Sequence, residues 1–477
     1  GFYLLIGMLQ KHFSNLVVVL TVLTIALATN LFYQATYVTM AHGFLFFNYC
    51  LLIYLSERFY QRPGLATGFF IGAVVGLITM ARIPELVSGL IPVLWGVTGW
   101  KAFRERLAFF REHYLALAAA ALGFLAFFSL QFGYWYFTSG QLIFNPYEGE
   151  GFNFLKPHIL NGWFNFANGW LIYTPIMALS LAGVFFLRRY LPEALLPTLF
   201  FVGAHVYIHY SYYVWNYFPG LGSRPMVETY PILAFSLAAC YGVLAKRRWS
   251  TWFSFLILAF FTWLNLFQTW QMNEGIIWPE RHNRAFYLAT FGKTEFSMDA
   301  LRAYDSNQLQ PDTAGIRRIG RLYFNDFENP SMPNTDSTLR VSGKYALLPM
   351  EDFYLIEDKL PLKSVKPKDW LKLGMDANAP MENAILNRDL IATFFLEFYD
   401  ENGKRRRTTY FKPGSHIGNE AGSIWASGEL NKWGEANLFI QAPKGWNENW
   451  TVKMFVMNGN KQRIFLDDLY VDLYRGR

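Results

Sequence analysis

The stretch "LGSRPMVETY", residues 221–230, is followed directly by the apolar run "PILAFSLAACYGVLA", residues 231–245. A helix that crosses a bilayer needs about 20 predominantly apolar residues, and this region supplies them. Arg224 and Glu228 stand four residues apart at its start, where ionised groups are costly unless they are paired or functional. The stretch therefore predicts a membrane-spanning helix with a polar site at one end.

Composition extends this prediction along the chain. Of the 477 residues, 53% are hydrophobic and 19% aromatic. Residues 1–275 consist mostly of apolar runs without any Asp, whereas the remainder has the charge balance of a soluble protein. We predict a transmembrane domain over 1–275, an extracytoplasmic helical connector over 276–320 and an extracytoplasmic β-sandwich over 321–477. The net charge of +7 arises mainly in the membrane half, so it does not indicate a nucleic-acid partner.

Hydropathy divides the first domain into nine candidate spans. They lie at about 15–35, 38–56, 65–82, 84–100, 114–136, 168–187, 192–212, 226–245 and 250–272. With the N-terminus in the cytoplasm, twelve Lys and Arg fall on the inner side, and three, Arg82, Lys156 and Arg224, on the outer side. This distribution follows the positive-inside rule. An odd number of spans then places the C-terminal region outside the cytoplasm.

The outer ends of the spans carry the candidate site residues. Arg82 lies where one span ends and the next begins, and its guanidinium can hold a phosphate or simply reach the membrane interface. Arg224 and Glu228 can orient each other at the site or form a plain interfacial ion pair. His42 begins a span on the same side, where it caps the helix or contacts a substrate.

The outer loop around residues 144–175 adds further candidates. Glu148 and Glu150 lie among glycines, and Lys156 and His158 follow them. The two glutamates are either site residues or solvated loop charges. In "HVYIHY", His205 and His209 are one helical turn apart, a spacing that can bind a metal, but no third ligand is evident nearby in the sequence. We therefore predict no metal site and no cofactor, although a divalent ion remains compatible with the pair.

Four segments resemble bacterial GT-C-fold glycosyltransferases. They are "NLFYQATYVTMAHGFLFF" (30–47), "MARIPELV" (80–87), "YEGEGFNFLKPHILNGWFNFANGWLIYTPIM" (147–177) and "GSRPMVETYPILAFSLA" (222–238). The resemblance covers roughly residues 1–275, and is to family-39/83-like proteins, which are related to protein O-mannosyltransferases and lipid A aminoarabinose transferases. It implies a multi-helix bundle in the bacterial inner membrane, with a periplasmic C-terminal domain.

The same resemblance implies an activity. Such enzymes transfer a sugar from a polyprenyl-phosphate donor to a glycan or protein acceptor at the outer membrane face. Arg82 and Arg224 would then hold the donor phosphate. The family's catalytic Asp lies in the first outer loop, which we expect upstream of Gly1, because "GFYLLIGMLQK" is similar to the end of a longer helix. Within this chain, Glu148, Glu150 and Glu228 are weak substitutes.

Other functions stay open at this point. The chain is alternatively a non-catalytic subunit of a membrane complex that binds a glycan or protein, or a lipid-linked sugar flippase or polymerase. In each of these alternatives, we expect the protein to bind membrane lipids and other subunits of a membrane complex.

The C-terminal region has the pattern of an antiparallel β-sandwich. "TFFLEFYDENGKRRRTTYF" predicts a hairpin around an Asn-Gly turn, and "WTVKMFVMNGNKQRIFLDDLYVDLY" repeats the design. In the latter, Val452, Met454 and Val456 share one face. The ending resembles the jelly roll of carbohydrate-binding modules. Its tryptophans either stack on sugar rings or pack in the core. They are Trp425, Trp433, Trp446 and Trp450.

Overall fold

A computed structural model describes residues 1–38, 40–145, 150–277, 282–329, 335–379, 392–417 and 432–476. The chain forms two compact units, of which the first is Gly1–Trp270 and the second lies in the residues from Gln271 onward. The first unit is helical. Its helices are α1 (Phe2–Leu9), α2 (Asn15–Leu27), α3 (Leu31–Thr36), α4 (His42–Gln61), α5 (Leu65–Ala81), α6 (Leu90–Leu94), α7 (Trp100–Glu112), α8 (Tyr114–Ser139), α9 (Ile159–Phe164), α10 (Trp170–Tyr173), α11 (Ala178–Tyr190), α12 (Leu195–Ser211), α13 (Tyr230–Leu244) and α14 (Arg248–Asn273). Short 3₁₀ helices join some of them, at Ile83–Gly89, Pro175–Met177, Pro192–Ala194 and Arg224–Thr229.

Fewer of these helices are long enough to cross a bilayer than the sequence predicts. In the described part of the chain, three helical stretches combine sufficient length with sufficient hydropathy. They are Tyr114–Ser139, Arg224–Leu244 and Arg248–Asn273. Helices of 10–17 residues form at other predicted spans, for example Asn15–Leu27 and Leu65–Ala81. Helix lengths therefore do not reproduce nine continuous spans.

Proline explains two of the interrupted spans. The predicted span 84–100 starts within the 3₁₀ helix Ile83–Gly89, which has Pro84 in its first turn, and continues as α6 only to Leu94. The predicted span 168–187 breaks into α10, a 3₁₀ turn that begins at Pro175, and α11. Proline lacks the N–H that an internal helical turn needs, so it starts helices and does not continue them.

Helix α13 lies in the core of the first unit. All of its residues from Tyr230 to Tyr241 are buried, which explains why its sequence has no polar stripe. Its two tyrosine hydroxyls find partners inside the unit: Tyr241 Oη lies 2.8 Å from Thr24 Oγ1, and Tyr230 Oη donates to Asn30 Oδ1 at 2.6 Å. Helix α11 approaches it closely because Gly183 has no side chain, and a Cβ there would lie 1.8 Å from the Ser236 carbonyl oxygen.

Helices α5 and α8 pack through small residues. Gly68, Gly72 and Gly76 recur every fourth residue on α5, and a Cβ on Gly72 would lie 1.7 Å from the carbonyl oxygen of Ala120 on α8. From the other side, a Cβ on Gly123 would lie 2.1 Å from the Phe69 carbonyl oxygen. Close backbone approach through small residues is typical of helix pairs in membranes.

The second unit begins with two helices, α15 (Arg284–Thr290) and α16 (Met298–Ser306), and continues as a two-sheet sandwich. The strands are β1 (Ile316–Asn325), β2 (Thr335–Asp336), β3 (Ala346–Leu347), β4 (Phe353–Pro361), β5 (Trp370–Asn378), β6 (Thr393–Tyr399), β7 (Arg405–Phe411), β8 (Trp433–Gln441), β9 (Thr451–Met457) and β10 (Phe465–Gly476). One sheet has the order β2-β3-β10-β5-β8, with β1 also paired to β10, and the other has the order β4-β9-β6-β7. All the pairs are antiparallel. The predicted sandwich is therefore confirmed.

One of the two predicted hairpins is correct. Strands β6 and β7 pair directly across the turn at Gly403, which has a φ of +71°. The second prediction is wrong in its pairing, because β9 lies in the four-stranded sheet and β10 in the other. Between them, the Asn458 side chain bonds both the N–H and the carbonyl of Gln462, which stabilises the crossing. The predicted inner face is confirmed, since Val452, Met454 and Val456 are all buried.

The segment predicted as a connector is packed on the sandwich. Strand β8 is at the edge of its sheet, and side chains from the connector occupy its free backbone groups. Gln310 accepts from the N–H of Phe439 and donates to its carbonyl, and Arg302 donates to the carbonyl of Asn437. An edge strand covered in this way cannot pair with another chain.

Candidate functional site

The candidate site lies in the first unit, where residues from distant parts of the sequence meet. His42 is the first residue of α4, and Arg82 is an extended residue between α5 and the 3₁₀ helix Ile83–Gly89. His205 and His209 are on α12, and Glu228 is in the 3₁₀ helix Arg224–Thr229 that precedes α13. Pro225 is the second residue of this 3₁₀ helix and lies in its first turn, where the missing N–H of proline is tolerated.

Glu228 is the centre of one half of the site. Its side chain is fully buried, and its Oε1 accepts hydrogen bonds from His42 Nδ1 at 2.7 Å and from Arg82 Nη1 at 3.3 Å. Its Oε2 is also buried, and among the described residues it has no hydrogen-bond partner. Unfilled acceptors are rare in protein interiors and each one asks for an explanation. The carboxylate is thus fixed through one oxygen, while the other is left for a proton or a ligand.

The two predicted arginines have different surroundings. The Arg82 guanidinium lies 5.4 Å from the centre of the Tyr217 ring, in addition to its contact with Glu228. Arg224 Nη1 donates to the Pro219 carbonyl at 3.2 Å and lies 3.0 Å from Met40 Sδ. Arg82, which is 146 residues away in sequence, is therefore the arginine that contacts Glu228.

Glu85 is the centre of the other half. It is fully buried, and its Oε2 accepts a hydrogen bond from Tyr49 Oη at 2.5 Å. His209 Nε2 lies 2.8 Å from Glu85 Oε1, and His205 Nδ1 lies 3.4 Å from Glu85 Oε2. The fold therefore supplies the third group that the sequence around the histidine pair does not show.

Neighbouring acceptors determine which nitrogens of the two histidines carry hydrogen. His205 Nε2 faces the Pro225 carbonyl at 2.7 Å, so that nitrogen must donate. The Tyr217 hydroxyl donates its hydrogen to the His209 carbonyl at 2.9 Å. Its oxygen, Tyr217 Oη, therefore accepts from His209 Nδ1 at 3.0 Å. If both rings are neutral, the remaining nitrogens are His205 Nδ1 and His209 Nε2. Each of them carries a lone pair that faces the Glu85 carboxylate.

Three such acceptors need a cation or protons between them. The ligand atoms of Glu85, His205 and His209 all lie within 4.8 Å of one another. Two histidine nitrogens and one carboxylate are a common donor set for Zn²⁺, and outer hydrogen bonds of this type orient metal-bound histidines. The residues therefore fit a divalent ion, and protonation of the histidines satisfies the same contacts without one.

Tyr217 connects the two halves of the site. Its ring lies beside Arg82, and its hydroxyl contacts His209. Its φ of +47° is unusual for a residue with a side chain. Sparsely populated backbone conformations are found preferentially at functional sites, where surrounding contacts stabilise them.

The remaining predicted residues are peripheral to this cluster. Glu148 lies outside the described residues, and Glu150 accepts a hydrogen bond from the Tyr212 hydroxyl. The Lys156 side chain is exposed. The His158 ring packs beside the Trp215 ring, with 5.8 Å between their centres.

Sequence reasoning missed Glu85, Tyr49 and Tyr217 as site residues. For Tyr49 a signal was present, because it lies seven residues after His42 and so shares its face of α4. Glu85 follows Arg82 by three residues at the same span end. The loop that carries Tyr217 has no regular spacing from which its direction could be predicted.

The structure decides between sugar stacking and core packing for two of the four tryptophans of the sandwich. Trp446 and Trp450 are 2% and 7% exposed, and both belong to the core. Trp433 is half-buried at the start of β8, and Trp425 lies outside the described residues. Core packing is therefore the role of the two buried rings.

Comparison with known proteins gives similarity to solved structures but not to a protein family. No protein-family model and no curated protein matches the chain. The CBM22-1 xylan-binding domain of Paenibacillus barcinonensis Xyn10C is similar in structure, with 14% sequence identity and a TM-score of 0.21. The match covers 33% of this chain and 97% of that domain. The strand pairing shows by itself that the C-terminal unit is an antiparallel β-sandwich, while the GT-C resemblance of residues 1–275 stays a prediction.

Proposed function

We propose that this protein transfers a sugar from a polyprenyl-phosphate donor to an acceptor hydroxyl at the outer face of a membrane. The observation that carries the proposal is the Glu228 carboxylate, which is buried, fixed through Oε1 by His42 and Arg82, and unfilled at Oε2. Such a transfer needs a base that accepts the proton of the acceptor hydroxyl and a cation that binds the donor phosphate. Glu228 and Arg82 are neighbouring groups of these two kinds.

The proposed reaction assigns one role to each group. The acceptor oxygen attacks the anomeric carbon of the donor sugar, and its proton passes to Glu228 Oε2. The bond between the anomeric carbon and the phosphate oxygen breaks, and polyprenyl phosphate leaves with the bonding electrons. Negative charge grows on the phosphate during this step, so a nearby cation stabilises the transition state more than the ground state.

Arg82 is the proposed cation for this phosphate. It touches Glu228 through Nη1 and has further N–H donors, because a guanidinium carries five. His42 holds the other side of Glu228 Oε1, so the carboxylate keeps its position while Arg82 engages the phosphate. Arg224 lies four residues before Glu228 and is the proposed second contact to the donor.

The membrane setting supports the same proposal. Among the described residues, three helical stretches are long and apolar enough to span a bilayer. Buried ionisable groups in such a region are rare and are usually functional. In the proposed topology these groups lie at the outer face of the bacterial inner membrane and the C-terminal unit is periplasmic.

Donor turnover tests the proposal. The full chain in nanodiscs is incubated with undecaprenyl-phosphate mannose, glucose or aminoarabinose, together with an envelope extract from cells that lack the protein. Mass spectrometry then measures the release of undecaprenyl phosphate. We expect release with one of these donors, and a loss of at least about a hundredfold in Glu228→Gln, since general base catalysis contributes 10²–10⁴-fold.

Donor binding, measured on the same preparations, separates the alternatives. Glu228→Gln should still bind the active donor, because the amide keeps the size of the side chain. Turnover that is equal in wild type and Glu228→Gln excludes Glu228 as the base. Binding of a donor without turnover by the wild type favours a non-catalytic subunit or a lipid-linked sugar flippase.

A further inference from the structure

An apolar crevice of about 260 Å³ opens beside the packed pair α5 and α8, away from the polar cluster. Its walls include Phe59 from the end of α4, Ile71 from α5, Pro92 from α6, and Ala121 and Phe124 from α8. These residues lie towards the C-terminal end of α4 and the N-terminal ends of α5 and α8, which are the inner ends in the proposed topology. The crevice is smaller than the ~300–1,000 Å³ of typical small-molecule pockets. Its size and lining suit one hydrocarbon chain.

Arg106, on the neighbouring helix α7, lies beside this crevice. Its guanidinium carbon is 3.4 Å from the centre of the ring of Tyr60, which lines the crevice. Its Nη2 donates to the Trp95 carbonyl at 2.5 Å, whereas its Nη1 is buried and has no hydrogen-bond partner among the described residues. Burial lowers the pKa of Arg106 to about 10, so the group is still charged at neutral pH. A buried donor on a cation that lacks an acceptor indicates a missing anionic ligand.

The rest of α7 has the charge of a membrane-surface helix. Four basic and two acidic residues are interspersed with aromatic ones over Trp100–Glu112, and every residue of the helix is exposed or, like Arg106, partly buried. Basic amphipathic helices lie in the headgroup region of membranes and attract anionic lipids. The cytoplasmic leaflet is the anionic one, and this helix is cytoplasmic in the proposed topology.

We propose that Arg106 and the crevice form a binding site for an anionic phospholipid of the cytoplasmic leaflet. The lipid phosphate accepts hydrogen bonds from the Arg106 guanidinium, including Nη1, and one acyl chain occupies the crevice between α4, α5 and α8. The site is separate from the donor site, which in the proposed topology lies at the opposite membrane face. It rests on the membrane placement of the proposed function but not on transfer activity.

Native mass spectrometry of the full chain tests this site with defined lipids. The protein is released from detergent after incubation with phosphatidylglycerol, phosphatidylcholine or undecaprenyl phosphate, and bound lipid is counted at stepped collision energies. We expect phosphatidylglycerol to be retained at higher energy than phosphatidylcholine. Arg106→Gln should lower its apparent affinity by about tenfold or more, in keeping with the loss of a charge-assisted hydrogen bond.

Two matched pairs separate the site from general effects. Arg104→Gln changes an exposed arginine on the same helix and should leave retention unchanged. Ala121→Phe fills the crevice and should remove the bound lipid, whereas Ala126→Phe, at another exposed position of α8, should not.

The possible outcomes decide the assignment. Equal retention of the two phospholipids, or unchanged retention in both Arg106→Gln and Ala121→Phe, overturns the site. Stronger retention of undecaprenyl phosphate that depends on Arg106 overturns the phospholipid assignment. Transfer activity is not read in this experiment, so a failed lipid site and a failed transferase proposal remain distinguishable.

Discussion

Arg82 Nη1 lies 3.3 Å from Glu228 Oε1, although 146 residues separate the two in sequence. The Glu228 side chain is fully buried and that of Arg82 is 20% exposed, so the pair presents its cation, and not its anion, towards the more accessible side. A buried ion pair is weak evidence for stability, because desolvation offsets most of the attraction between the charges. A role in binding an anion explains better why the arginine lies there.

Replacement of the two arginines by lysine should weaken donor binding while the charge is kept. Lysine offers a point charge and arginine offers two directed donors to a phosphate. We expect Arg82→Lys to lower the affinity for undecaprenyl phosphate by about tenfold, and Arg82→Lys combined with Arg224→Lys by more. Titration of the nanodisc-embedded protein measures this. Arg189→Lys, at an exposed arginine of α11, is the control. Unchanged affinity in the double variant would rule out the arginine clamp.

Metal analysis tests the Glu85 cluster independently of activity. After dialysis against a slight excess of Zn²⁺ and then buffer, the wild type should retain about one ion per chain, because two histidines and one carboxylate form a suitable donor set. His209→Ala should lose it, and His158→Ala, which changes a histidine outside the cluster, should retain it. Elemental mass spectrometry gives the stoichiometry. A wild-type protein that retains no Zn²⁺ would contradict a metal site in the Glu85 cluster.

Two glycines of α8 give a matched test of the helix packing. Gly123→Ala places a Cβ 2.1 Å from the Phe69 carbonyl oxygen, whereas Gly133 is exposed and has open space around it. Overpacking of this type costs roughly 1–3 kcal/mol. Thermal unfolding in detergent should therefore show a clear loss of stability for Gly123→Ala. Gly133→Ala should be neutral or slightly stabilising, since Ala is the better helix former. Equal melting temperatures would contradict the close α5–α8 contact.

The second unit should show a pH dependence at Asp472. Burial raises the pKa of Asp472, but hydrogen bonds from Arg321 and Arg318 outweigh it and hold the pKa below its ordinary value. A depressed pKa in the folded state contributes stability above the unfolded pKa of about 3.9, and this contribution is lost as the pH falls through the folded value.

Arg318→Gln should accordingly destabilise the second unit slightly at pH 7, because solvent screens an ion pair whose arginine is exposed. The difference from wild type should shrink below about pH 4. Pulse proteolysis in urea, followed on the C-terminal fragment, measures the stability at each pH. Arg317→Gln, at an exposed position on the same strand, is the control. A difference that does not depend on pH would mean that Arg318 acts through packing alone.

Local patterns predicted much of this protein and failed where tertiary contacts decide. Alternation predicted the inner face of β9, and the Asn-Gly turn predicted the β6–β7 hairpin. The sequence could not show that β9 and β10 belong to different sheets, because their segment has the same pattern in either case. The nine spans were counted from hydropathy, which does not register that proline interrupts a helix.

The candidate site shows the same limit. His42, Arg82 and Glu228 were each predicted from their positions at span ends, but the spacing of Arg224 and Glu228 suggested the wrong partner for the carboxylate. Residues four apart face one another on an α-helix, whereas the segment Arg224–Thr229 is a 3₁₀ helix, in which residues three apart coincide. Arg82, and not Arg224, donates the hydrogen bond to Glu228, and this contact between distant parts of the sequence exists only in the folded chain.

Photo-crosslinking of the donor lipid tests the central claim most directly. An undecaprenyl phosphate analogue with a diazirine on its first isoprene unit is irradiated with the full chain in nanodiscs, and labelled peptides are mapped by mass spectrometry. The account predicts labels on the segments around Arg82 and around Arg224–Glu228, which excess undecaprenyl phosphate competes away and phosphatidylcholine does not. Labels confined to α7 and its neighbours, or labels that no phosphate lipid displaces, would contradict it.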